Sequence, residues 1–249
     1  MIRRVLGVAA LIALIGGCVA GRPPGASAVL RAHDTLYRPD GSGPFPAVVV
    51  LHGCLGVRSK DTRWAERFRE QGYVALVVDS LTGRGLETID QRRSVCRGLT
   101  LWGGTRASDV GESLAYLKTL PYVDAARLGV VGFSHGAWAA LDFLASASAH
   151  DVEGLRAVVG FYPYCGVASR ARWLGLQADV PTLLLLAAQD RMVSPDQCRD
   201  VAERAAAAGR PVSFTVYEDV GHSFDWRSSP ATDDAQQRVR RFFAEALAR

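Results

Sequence analysis

The chain has 249 residues, 49% apolar and 22% charged, with a formal net charge of +4. That suits one globular domain of ordinary composition with a sizeable core. No basic run interleaves with aromatics, so nucleic acid is excluded as a partner.

Met1-Ile2-Arg3-Arg4 reads as a basic leader, and Val5 to Ile15 as an apolar stretch too short to span a bilayer comfortably. The segment ends in Leu14-Ile15-Gly16-Gly17-Cys18, which resembles a bacterial lipobox. Residues 1–18 are therefore expected to be a signal peptide, with Cys18 lipidated. An ordinary secretory peptide is the alternative, and either reading exports the mature chain. The expected location is the periplasmic side of a bacterial membrane as a lipoprotein, or soluble periplasmic or secreted. Membrane contact is then expected only through the N-terminal lipid. Without this segment 27 basic residues face 25 acidic ones. Residues 19–28, rich in Pro, Gly and Ala, read as a flexible tether, and 29–249 as the folded domain.

Apolar runs at 47–51, 73–78, 128–133, 157–161, 182–187 and 212–217 predict buried strands. Helical periodicity covers 61–71, 105–119, 135–147, 196–208 and 231–248. Trp64, Ala65 and Phe68 make one apolar face; Val239, Phe242, Phe243, Ala246 and Leu247 make another. Alternating strands and helices predict a mostly parallel sheet covered on both faces, with its chemistry beyond the strands' carboxyl ends.

Four strand ends carry that chemistry. The first run leaves into His52-Gly53-Cys54-Leu55-Gly56, a His-Gly-x-x-Gly loop that offers backbone N–H groups to an oxyanion. The run 128–133 enters Gly132-Phe133-Ser134-His135-Gly136 and leaves into an alanine-rich helix, the arrangement of a nucleophile elbow. Ser134 is the predicted nucleophile, and the amides of Cys54 and His135 are the predicted oxyanion donors. Asp190, just past the apolar strand 182–187, is the candidate acid, with Asp196 the runner-up. His222, flanked by Gly221 and Ser223 before the last helix, is the candidate base. His33 and His150 read as solvated, His135 as carried off on its helix, and His52 as a brace for its loop. The chain order Ser134, Asp190, His222 is that of an α/β-hydrolase triad.

Beyond Cys18, four cysteines remain: Cys54, Cys96, Cys165 and Cys198. They allow three connectivities, or four reduced thiols. Each of Cys54–Cys96 and Cys165–Cys198 joins segments beyond the carboxyl ends of two strands expected to be neighbours, and these are the predicted disulfides. No clustered histidine or C-x-x-C spacing suggests a metal site.

Taken together, LHGCLG, GYVALVVDSLTGRG, RLGVVGFSHGAWAALDFL, AVVGFYPYC, PTLLLLAAQDRMVSPDQC and YEDVGHSFDW resemble the dienelactone hydrolase-like branch of the α/β-hydrolases. The resemblance spans about residues 30–249. It implies a triad at Ser134, Asp190 and His222, a small-molecule ester substrate, and no metal or organic cofactor. It also puts Arg84 where the family has an arginine able to meet a substrate carboxylate. One departure stands out: dienelactone hydrolases proper use a cysteine nucleophile, and residue 134 is serine. Only residues 162–180 are available as an insertion between strands 157–161 and 182–187, too few for a large cap. The expected activity is hydrolysis of small or accessible carboxylic esters or lactones through an acyl-enzyme. A serine peptidase or amidase on the same fold, or a catalytically silent exported binding protein, are the alternatives.

Overall fold

A computed structural model describes residues 31–248, so the predicted signal peptide, Cys18 and the tether lie outside the described residues. Seven strands form one sheet: β1 (Thr35–Tyr37), β2 (Phe45–Leu51), β3 (Val74–Val78), β4 (Val123–Phe133), β5 (Leu155–Phe161), β6 (Thr182–Ala187) and β7 (Val212–Tyr217). Their order is β1-β3-β2-β4-β5-β6-β7. All neighbours are parallel except β1, which pairs antiparallel with the edge of β3. The helices are α1 (Ser59–Glu70), α2 (Ile89–Cys96), α3 (Gly103–Lys118), α4 (His135–Leu144), α5 (Arg170–Leu174), α6 (Pro195–Ala207) and α7 (Pro230–Leu247). This is the α/β-hydrolase arrangement, without a cap domain among the described residues.

Both sheet faces are buried, which is why the strands read as unbroken apolar runs. Along β2, Ala47, Val49 and Leu51 pack in the layer that holds α3, α4 and α6. Val48 and Val50 point the other way, into the layer of α1 and α7. There Phe68 meets Phe243 edge-on, with ring centroids 5.3 Å apart. Two helices begin at a Ser-Pro pair, Ser194-Pro195 and Ser229-Pro230. Proline at the first helical position has the φ the helix needs and lacks an N–H that would be orphaned there. Ser229 Oγ also accepts from Thr232 N at 3.2 Å, capping α7.

The chain moves from β2 outward to β3, then crosses back to β4 on the other side of β2. That reversal opens a crevice between the carboxyl ends of β2 and β4, where doubly wound sheets bind their ligands. Ser134 and the 52–56 loop flank it. Among the described residues, no helix is long and apolar enough to cross a membrane.

Candidate active site

Ser134 takes φ 53° and ψ −112°, between the end of β4 and the first residue of α4. A non-glycine residue there is strained, and the surrounding packing holds it. Ser134 N donates to Phe161 O at 2.9 Å, extending the pairing of β4 with β5 by one step. The two glycines of the motif make the tight exit possible. A Cβ on Gly132 would lie 2.6 Å from Ala137 N, and one on Gly136 would lie 2.3 Å from Leu51 O. Only glycine lets α4 fold back this closely onto β4 and β2.

His222 comes from the loop after β7. Its Nε2 lies 2.9 Å from Ser134 Oγ, and its Nδ1 lies 2.6 Å from Asp190 Oδ2. The other carboxylate oxygen, Asp190 Oδ1, accepts from Met192 N at 2.8 Å and Val193 N at 3.1 Å. The turn after β6 therefore fixes the acid, and Gln189 N ties that turn to Val220 O at 3.0 Å. The imidazole also has a floor. Tyr162 holds its ring 4.7 Å from that of His222 and gives its hydroxyl hydrogen to Asp225 Oδ1. Asp225 in turn receives Trp64 Nε1 at 3.3 Å and faces Lys60 Nζ at 3.5 Å. Burial and the adjacent Asp225 carboxylate raise the Tyr162 hydroxyl well above its ordinary pKa, keeping it a donor.

Cys54 lies in the loop after β2, and His135 is the first residue of α4. Cys54 and His135 line the same cavity as Ser134. Among the described residues, neither amide donates to a backbone partner. The side chains of His52 and His135 are both neutral braces. Ser80 N donates to His52 Nε2 at 3.2 Å, and His135 Nε2 donates to Leu101 O at 2.8 Å. Burial, reinforced by the charge of Arg106, holds His52 well below its ordinary pKa and pulls His135 down to about 3.

Arg84 requires a correction. Its guanidinium forms a two-pronged pair with Asp109 at 2.9 and 2.6 Å, and a third bond to Ser80 O at 2.6 Å. It does not line the cavity beside Ser134. The glycine-flanked loop made it look free, but its partner sits 25 residues further on, on a buried face of α3.

The cavity has a volume of about 350 Å³. Trp138 and Tyr164, with ring centroids 4.7 Å apart, form one wall with Ala168. Val95, Cys96, Arg97, Gly98 and Trp102 form another, and Met192 and Val193 a third. Arg97 is the one charged residue in this lining. Asp142 fixes Trp138 by accepting from its Nε1 at 2.9 Å. Trp102 and Met192 are 52% and 61% exposed, so the apolar lining continues out to the rim. The wall from 95 to 102 leaves no mark in the sequence, because its segment has little periodicity.

Disulfides join Cys54 to Cys96 and Cys165 to Cys198, with Cα separations of 5.0 and 5.1 Å. That is the pairing the strand order favours. Among the described residues, no group of three or more His, Cys, Asp or Glu side chains is gathered to hold a metal ion.

The family model for the dienelactone hydrolase family matches residues 33–247. A Methylorubrum extorquens protein named "Putative carboxymethylenebutenolidase" is 26% identical over 238 residues, covering 90% of this chain and 79% of its own. Among solved structures, a dienelactone hydrolase-like promiscuous phosphotriesterase from metagenomic libraries superposes with TM-score 0.70 at 18% identity, covering 86% and 92% of the two chains. Thermogutta terrifontis esterase 2 superposes with TM-score 0.65 at 18% identity, covering 85% and 88%. At that identity the two structures speak for the fold alone.

Proposed function

Since the chain belongs to the dienelactone hydrolase family and is thereby a hydrolase of esters or lactones, we propose that it works as a serine esterase through Ser134, His222 and Asp190. The observation that carries this reading is the unbroken chain from Ser134 Oγ to His222 Nε2 and from Nδ1 to Asp190 Oδ2. His222 takes the Ser134 proton as Oγ attacks the carbonyl carbon. Asp190 accepts from Nδ1–H, fixing the tautomer and stabilising the imidazolium. The amides of Cys54 and His135 hold the tetrahedral oxyanion, backed by the amino end of α4. His222 then protonates the leaving alkoxide, and water, activated by the same imidazole, releases the acid.

The cavity's volume lies at the small end of ligand sites, and its lining is mostly apolar. This supports compact esters or lactones over long acyl chains. A fluorophosphonate probe tests the reading. Labelling confined to Ser134, with p-nitrophenyl acetate hydrolysed far faster than the matching anilide, is the expected result. Comparable rates on ester and anilide would favour an amidase, and an unlabelled chain a silent binding protein.

We also propose that the chain is exported and anchored through lipidated Cys18, on the lipobox-like Ile15-Gly16-Gly17-Cys18. Each buried methylene of an acyl chain contributes about 0.8 kcal/mol, so a multiply acylated end stays in the membrane. Full-length protein is expected in the membrane fraction of a Gram-negative host, and Cys18→Ser to release it or stall its processing. Wild-type protein wholly in the soluble periplasm would leave the plain secretory peptide.

A further inference from the structure

Arg106, near the start of α3, has no solvent exposure, yet nothing in the proposed chemistry uses it. Its Nε donates to Ser80 Oγ at 2.8 Å. Its Nη1 donates to His52 O at 2.8 Å and to His135 Nδ1 at 3.2 Å. These acceptors follow the carboxyl ends of β3, β2 and β4, three adjacent strands. One guanidinium therefore clamps the crevice at its topological switch. Two of its contacts fall on the segments that carry the oxyanion donors. His52 O lies two residues before Cys54, and His135 is itself the second donor.

The clamp is an expensive one for structure alone. Asp109, one turn further along α3, is taken by Arg84, and Arg106 Nη2 is buried without a hydrogen-bond partner among the described residues. Burial lowers the Arg106 pKa only to about 10, so the group stays cationic at neutral pH. A buried, incompletely satisfied cation costs stability that an apolar side chain of equal volume would not. Bound to the two segments that carry the proposed oxyanion donors, the same group is fixed in place and needs no reorganisation when negative charge forms there.

We propose that Arg106 is the positioning residue of the oxyanion hole, holding the Cys54 and His135 amides in register through His52 O and His135 Nδ1. It touches no substrate. The inference rests on the esterase reading above. Arg106→Met keeps the length of the stem and removes the donors. With active sites counted by fluorophosphonate, kcat on p-nitrophenyl acetate is expected to fall roughly 10- to 100-fold, less than the loss of an oxyanion donor itself. KM should stay within about threefold, because the lost interaction belongs to the transition state. Phenylboronic acid, whose serine adduct is tetrahedral, should bind more weakly by a factor similar to the fall in kcat. A purely structural role would lower the melting temperature and the count of active sites, leaving both per-site constants unchanged. Arg106→Lys retains the charge with fewer donors, so its expected loss is intermediate, and it carries the test if the Met variant does not fold. Per-site kcat and boronate affinity within twofold of wild type, in the folded Met variant or failing that the Lys variant, would overturn the inference. Wild-type protein that neither hydrolyses esters nor takes the probe at Ser134 would remove the esterase reading itself, and this inference with it.

Discussion

Ser134→Ala is expected to lower kcat for p-nitrophenyl acetate by roughly 10⁴- to 10⁶-fold, about 5–8 kcal/mol of transition-state stabilisation. The residual rate would come from binding and the oxyanion amides, which the substitution leaves in place. The fold should be untouched. Among the described residues Ser134 Oγ has one hydrogen-bond partner, His222 Nε2, and that imidazole remains held by Asp190 and seated on Tyr162. The backbone bonds of residue 134 to Phe161 O and Trp138 N are independent of the side chain. Alanine suffers the same positive φ as serine, so the melting temperature should move by no more than a few degrees. Near-normal turnover in a folded Ser134→Ala protein, or fluorophosphonate labelling that survives it, would end the assignment of the nucleophile.

The parts of the site legible in the sequence are those where local backbone demands and chemistry coincide. Gly132 and Gly136 are forced by the approach of α4 to β2 and β4, so the elbow carries its own signature. His222 and Asp190 stand just past apolar strands, where a charged or polar side chain has little use in a core. The disulfides are legible only through the expected fold, in which β2 lies beside β3 and β5 beside β6. What stayed hidden depends on contacts between distant segments. The pair of Arg84 with Asp109 and the reach of Arg106 to three strand ends leave no local trace. The edge strand β1 has only three residues, and α2 buries Val95 alone, so neither produces a periodic pattern. The early part of β4 was also missed, because Asp124, Ala125, Ala126 and Arg127 lie toward the sheet's rim and carry no apolar run.

Removing either disulfide should cost stability, but the two losses should differ in what they do to catalysis. The bridges close segments separated by 42 and 33 residues. In the chain-entropy model each constrains the unfolded chain by about 4 kcal/mol, and measured values run about 2–4. For a domain of this size that is a fall in melting temperature of roughly 5–15 °C per bridge. Cys165 and Cys198 are 1% and 0% exposed, so their bridge supports the cavity wall from behind. Cys54 is the proposed donor of an oxyanion amide, and the bridge ties it to Cys96, which lines the same cavity. A Cys165→Ala/Cys198→Ala double variant is therefore expected to melt early while keeping kcat at 25 °C within about threefold. The Cys54→Ala/Cys96→Ala pair should melt early and lose roughly tenfold or more in kcat, since a freed loop no longer fixes an oxyanion donor. Thermal scans with active-site-normalised kinetics on both variants check this. Equal kcat losses in the two would mean the first bridge has no special part in the oxyanion hole. Melting temperatures unchanged from wild type would mean that neither bridge forms in the native protein.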